Sequence, residues 1–274
     1  MERSAERLEI LKKIEENEKL GLFDRDVEND PPTIPLDYKK VDYTGQKLST
    51  RIASRIANGV ARRHFDKLID RRMLIIKEVV GIENYLSVSG GAVLTCNHFN
   101  PFDNYAVFKS IQKHLGKRDL YKVIREGNYT NFKGLYGYFF RHCNTLPLCS
   151  AAKGLSAFMK ATEVLLGRGE KILVYPEQGM WWNYKKPRPL KDGAFAIAAR
   201  SRVPVVPFFI TMQDSDVIDE SNGFPVQEYT VHILPPICYD PLLNRRENIA
   251  EMSRKNFELW KNTYEAVYGI PLEY

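Results

Sequence analysis

The 274-residue sequence contains no uninterrupted apolar run of ~18 residues, the length a membrane-spanning helix needs, so no spanning helix is expected. It has only four cysteines, Cys96, Cys143, Cys149 and Cys238, and none stands at CxxC spacing. With no signal peptide apparent, that usage fits a reduced compartment and excludes a disulfide scaffold. The five histidines are scattered without ligand spacing, so neither a structural metal nor a metal-dependent reaction is expected. No Gly-x-Ser-x-Gly elbow exists, which weighs against a serine hydrolase. Internal repeats and low-complexity tracts are also missing.

What is present is charge, unevenly spread. The net charge is +6 and the pI about 9.0, which suits an anionic partner: a membrane surface, a phosphorylated substrate or nucleic acid. Residues 48–80 hold eight Lys or Arg against three Asp or Glu, most of that excess. Within them, residues 47–70 read as a basic helix. Leu48, Ile52, Ile56 and Val60 recur at four-residue steps, Ala53, Ala57 and Ala61 stand beside them, and arginines flank the stripe. Basic residues around an apolar stripe are the pattern of a helix lying in a membrane interface. The same pattern with an aromatic stacking face would suggest nucleic acid, but that face is missing, so no nucleic-acid partner is expected.

The rest of the chain alternates strands and helices. Residues 1–23 form a mixed-charge amphipathic helix, and residues 24–35 a proline-rich connection. Strands are expected at 73–80, 92–96, 120–124, 146–148, 171–175, 203–210 and 229–234, and helices from Pro101 to His114 and over 151–166, 192–200 and 248–267. The aromatic 132–140 segment receives no element. That alternation predicts an α/β fold with a largely parallel central sheet flanked by helices, preceded by an N-terminal helical segment. The expected division is 1–72, helical and basic, and 73–274, a catalytic domain.

One stretch organises this pattern: Ala92-Val93-Leu94-Thr95-Cys96-Asn97-His98-Phe99-Asn100-Pro101-Phe102-Asp103. The buried strand ends in Asn97-His98, and Asn100-Pro101 announces a helix with Asn as cap and Pro at the first position. That register puts Asp103 at the third helical position. A helix start between His98 and Asp103 lets the chain fold back so that the two meet. A carboxylate accepting from one imidazole nitrogen fixes the tautomer and makes the other nitrogen a better base. A second His-x4-Asp, His114 to Asp119, lies among Lys113, Lys117 and Arg118 and reads as a solvated helix end.

Three strand ends carry polar chemistry: Asn97 to Asp103, Val174-Tyr175-Pro176-Glu177-Gln178-Gly179-Met180, and Val203-Pro204-Val205-Val206-Pro207. With Gly81-x-Glu83-Asn84 upstream and Lys191-Asp192-Gly193 downstream, they resemble the glycerolipid acyltransferases, the lysophospholipid acyltransferase family, over residues 73–234. The resemblance implies transfer of a fatty acyl group from acyl-CoA or acyl-carrier protein to a lysolipid hydroxyl, with no other cofactor. It implies His98 as general base, Asp103 as its partner, and substrate contacts at Asn97, Glu177, Arg141, Lys191 and Gly193. The best acceptor under it is 1-acyl-glycerol 3-phosphate, giving phosphatidic acid, with the enzyme peripheral on the cytoplasmic face of a membrane and attracted by anionic lipid. Backbone N–H groups near Val203–Pro207 are candidate oxyanion donors.

The departures concern the acceptor. The family's Pro-Glu motif continues Gly-Thr-Arg, and that arginine helps hold the acceptor phosphate; here Gln178-Gly179-Met180 follow. An earlier Gly-x5-Arg motif falls by spacing on Asn144 to Ser150, ending in Ser, while a second register brings in Arg141. Lys185, Lys186, Arg188 and Lys191 could supply charge without the missing bidentate fork, so a non-phosphate acceptor stays open beside lysophosphatidate. Trp181-Trp182 read first as packing residues.

Overall fold

The computed structural model describes residues 2–29 and 31–274. In chain order the helices and strands are α1 (Ala5–Lys19), α2 (Leu48–Asp70), β1 (Ile75–Val80), α3 (Ile82–Leu86), β2 (Ala92–Thr95), α4 (Asp103–Ile111), β3 (Leu120–Arg125), α5 (Glu126–Thr130), α6 (Gly134–His142), β4 (Thr145–Leu148), α7 (Ala152–Gly167), β5 (Lys171–Val174), α8 (Gly193–Ser201), β6 (Val205–Asp219), β7 (Phe224–Ile233) and α9 (Arg245–Tyr268). Seven strands make one sheet in the order β1-β7-β6-β2-β5-β3-β4. Every pairing is parallel except the β6–β7 hairpin, so β1 and β7 run against the other five. The fold is therefore α/β with a largely parallel sheet, as the strand–helix alternation predicts.

The central strands are buried on both faces. All four residues of β2 and all four of β5 are inaccessible, the reason their sequences are apolar runs without alternation. Residue parity still sorts them. Ala92 and Leu94 of β2, Leu173 of β5 and Leu120 of β3 pack with α2 and α4. Val93, Ile172 and Val174 pack on the opposite face with α7 and α8.

α2 docks by a different face from its hydrophobic stripe. Ala57, Ala61 and Phe65 are buried, whereas Leu48, Ile52, Ile56 and Val60 are 67%, 52%, 55% and 36% exposed. Small residues let the helix approach the sheet closely, and the larger aliphatic side chains are left outside. The aromatic 132–140 segment, unassigned from sequence, is mostly α6. It crosses so close to its own loop that a Cβ at Gly137 would lie 2.2 Å from Phe132 O.

Residues 2–29 and 31–36 are a strap over the body. Ile10 and Ile14 of α1 pack on Trp181, Trp182 and Phe224, which are packing residues, as the sequence suggests. Arg7 of α1 pairs with Glu28, and beyond α1 Asp26 pairs with Arg125 and Asn131 Nδ2 donates to Pro32 O. Among the described residues no helix is long and apolar enough to cross a membrane.

Candidate active site

His98 leaves β2 at its carboxyl end, where open parallel sheets collect functional loops. The predicted helix start needs correcting. Pro101 and Phe102 form a turn, and α4 begins at Asp103, because Asn100 Oδ1 accepts from Phe102 N and closes a tight turn instead of capping a helix. The consequence for the pair is small. Asp103 still folds back onto the loop, fully buried, in the first turn of α4.

His98 Nδ1 stands 2.8 Å from Asp103 Oδ2, which also accepts the N–H groups of Phe99 at 3.1 Å and Asn100 at 3.3 Å. Asp103 Oδ1 accepts the Tyr175 hydroxyl at 2.6 Å. A carboxylate surrounded by donors leaves Nδ1 as a donor too, so the proton sits on Nδ1 and Nε2 carries the lone pair. The imidazole is stacked on Tyr175, 4.1 Å between ring centres and 21° between planes. Burial and the neighbouring Asp103 charge push the Tyr175 phenol well above its ordinary value, so it stays a donor. His98 is 23% exposed, and among the described residues Nε2 has no hydrogen-bond partner.

The imidazole opens into a cavity of about 930 Å³, at the upper end of what small-ligand sites enclose. Part of its wall is aromatic: Phe65 from α2, Phe108 from α4, and Tyr136, Phe139 and Phe140 from α6. α6 is thus a wall of the site, a role its aromatic, glycine-punctuated sequence left unread. Cys143 also lines the cavity, but burial pushes its thiol up, as it does for the fully buried Cys96. Neither is prepared as a nucleophile.

Of the residues expected to touch substrate, Lys191 and Gly193 line the cavity. Gly193 opens α8, whose positive end favours negative charge. Asn97, Glu177 and Arg141 do not line it. Asn97 is buried and bonds Ile210 twice, Nδ2 to the carbonyl at 3.0 Å and Oδ1 from the N–H at 2.8 Å, tying β2 to β6. Glu177 is 4% exposed and works from behind, accepting His98 N at 3.0 Å and Arg188 N at 2.8 Å, with the Arg188 guanidinium at 3.2 Å. Arg141 is turned onto backbone, reaching Phe132 O at 3.0 Å and Tyr129 O at 3.5 Å. Val203–Pro207 offers no oxyanion donor to the cavity. Val205 N is bonded to Ile237 O at 2.9 Å, and none of the five residues lines it.

Two lining residues were not singled out from sequence. Arg125 ends β3 and meets Asp26 through two contacts, 2.6 and 2.9 Å. Lys122 lies three residues earlier, and strand parity with Leu120 turns it toward the α2–α6 face. Among the described residues its ammonium has no hydrogen-bond or ion-pair partner, and burial lowers its pKa. A lysine in mid-strand gives no periodic signal, since its apolar stem satisfies the pattern. Lys122→Met is expected to raise stability by about 1 kcal/mol, roughly 2–4 °C in Tm. The folded-state pKa is depressed, so the wild type is penalised at neutral pH and relieved as pH rises toward the unfolded value. The gain should therefore shrink as pH approaches that of free lysine. Thermal melts at two pH values check both points, and an unchanged or lower Tm at neutral pH would refute it.

Comparisons with known proteins bear on the family and the fold. The family model described as Acyltransferase matches residues 77–211, from β1 into β6. No curated protein matches the sequence significantly. Among solved structures, the crystal structure of the 1-acyl-sn-glycerophosphate (LPA) acyltransferase PlsC from Thermotoga maritima is similar, with a TM-score of 0.56 and 16% identity, covering 82% of this chain and 83% of that one. At that identity the likeness is one of fold. Residues 77–211, which contain the His98–Asp103 pair and the Glu177 turn, belong to the acyltransferase family.

Proposed function

We propose that this chain transfers a fatty acyl group from a thioester donor, acyl-CoA or acyl-carrier protein, to the hydroxyl of a lysolipid. The observation that carries the reading is the His98–Asp103 pair opening, Nε2 first, into a large and mainly apolar cavity. His98 Nε2 takes the proton of the acceptor hydroxyl, and Asp103 stabilises the imidazolium. The alkoxide attacks the thioester carbonyl, the carbon–sulfur bond breaks, and the thiolate leaves with the proton from His98. A thioester is already activated, so a positioned base and proximity carry the step without an acyl-enzyme. The test is acyl transfer by purified protein, with one acyl-CoA and one acyl-carrier protein, against a panel of lysolipids and glycolipids. Absence of transfer with every pair would refute the reading.

The exposed face of α2 supports work at a membrane surface. Leu48, Ile52 and Ile56 face outward with Arg51, Arg55 and Arg63 beside them, an arrangement suited to an anionic bilayer. Binding to anionic vesicles is expected to weaken as salt rises, since exposed charges are screened. Replacing Arg51, Arg55 and Arg63 by Gln should reduce vesicle sedimentation several-fold while activity on a soluble short-chain acceptor persists. Equal binding to neutral and anionic vesicles at all salt concentrations would count against it.

A further inference from the structure

The cations that could grip an acceptor phosphate beside the Glu177 turn meet partners within this chain. Arg188 is buried on Glu177, Lys186 is bound to Glu18, and Lys185 lies over the Tyr268 ring. Lys191 faces Asp24 at 3.9 Å. Arg125, the guanidinium at the strand ends, is forked by Asp26 through Nη1 and Nη2. Asp26 lies close against the turn: a Cβ at Gly179 would stand 3.0 Å from Asp26 Oδ1. Three of these partners, Glu18, Asp24 and Asp26, come from α1 and the strap. Arg62 and Lys122 line the cavity too, but they come from α2 and mid-β3, toward its aromatic wall.

A guanidinium fork offers two parallel N–H groups to one anion, and Asp26 takes them in the geometry a phosphate would need. Among the described residues, the polar side chains of the strap, α5 and the Glu177 turn that line the cavity along with Arg125 are Asp26, Glu28, Asn128 and Gln178, and Glu28 is held by Arg7. Asp26 neutralises Arg125 and Arg7 neutralises Glu28, so neither pair leaves a net positive charge for a phosphate dianion, while the carboxylate oxygens and the two amides offer the acceptors and donors that suit hydroxyl groups. Resting on the acyl-transfer reading, we propose that the acceptor headgroup is an uncharged polyol, glycerol or a sugar, and that Asp26 selects it by filling the anion seat on Arg125.

Acceptor kinetics and phosphate titration test this together. Wild-type protein should acylate monoacylglycerol or a monoglycosyl lysolipid with kcat/KM at least tenfold above lysophosphatidate; the two neutral arms separate glycerol from sugar. Asp26→Asn should raise kcat/KM for lysophosphatidate about tenfold, through KM, and lower it for the neutral acceptor. Inorganic phosphate, followed by calorimetry, should bind the variant and not the wild type, a readout independent of turnover. Preference of the wild type for lysophosphatidate, or equal phosphate binding by both proteins, would overturn the proposal. Where the variant does not fold, as seen by its melt, the wild-type preference and its failure to bind phosphate decide. No transfer to any acceptor would instead refute the acyl-transfer reading, with the phosphate titration still deciding the seat.

Discussion

His98→Ala is expected to remove nearly all acyl transfer while the protein melts within a few degrees of wild type. His98 is part-exposed at a loop, so truncation leaves no large void. On the proposed mechanism its loss removes the group that takes the acceptor proton, a contribution of about 10²- to 10⁴-fold for positioned bases. Asp103→Asn should lower kcat by about 10²-fold or more, because the amide oxygen keeps the Phe99 and Asn100 N–H groups but carries no charge to stabilise the imidazolium. The shape is kept, and the Tyr175 contact survives at the other atom. His114→Ala is the control. It has the same His-x4-Asp spacing, but lies exposed in the short turn that follows α4. Wild-type turnover in His98→Ala would end the general-base mechanism.

Arg188→Met is expected to be the most destabilising single change near the site, about 3–5 kcal/mol, or on the order of 10 °C in Tm. Arg188 is 1% exposed, lies over the Trp181 ring at 4.7 Å, reaches Phe23 O at 3.3 Å and also donates to Gly179 O. Without it the Glu177 carboxylate is buried with only two backbone donors. Since one of those donors is His98 N, the loop carrying the imidazole should loosen and kcat fall as well. The double variant Glu177→Gln, Arg188→Met should recover part of the loss, because no unpaired charge remains. Chemical denaturation of the two singles and the double measures this coupling. A melt of Arg188→Met within about 1 kcal/mol of wild type would show that the pair contributes nothing.

The parts of the fold legible in the sequence are those with local signals. Apolar runs bounded by turn residues marked β2, β5 and the start of β6, and a strand end followed by a helix start marked the His98–Asp103 pair. The helix start was placed two residues early because Asn100 makes a turn where its usual role is a cap. β6 continues past its buried part to Asp219, where charged residues such as Asp214 and Asp216 hid the strand. The function of Glu177 was not legible. Its partner is eleven residues on in a proline-flanked loop, with no period connecting the two. The same holds for Asp26 and Arg125, 99 residues apart and joined only by tertiary docking of the strap. On α2 the stripe was legible but not its orientation, since small residues decided which face met the sheet.

The strap also has a bearing on how the molecule is made. Trp181 Nε1 donates to Arg25 O across 156 residues, and Lys186 reaches Glu18 across 168. Synthesis proceeds at roughly 5–20 residues per second, so α1 and the strap leave the ribosome about ten to thirty seconds before the residues that receive them. During that interval α2 is already out, with both its stripe and its docking face uncovered. In that state both faces of α2 are open to solvent before the strap closes on Arg125. Order of emergence, set by sequence separation alone, makes exposure of α2 the early event and closure of the strap on the body the late one.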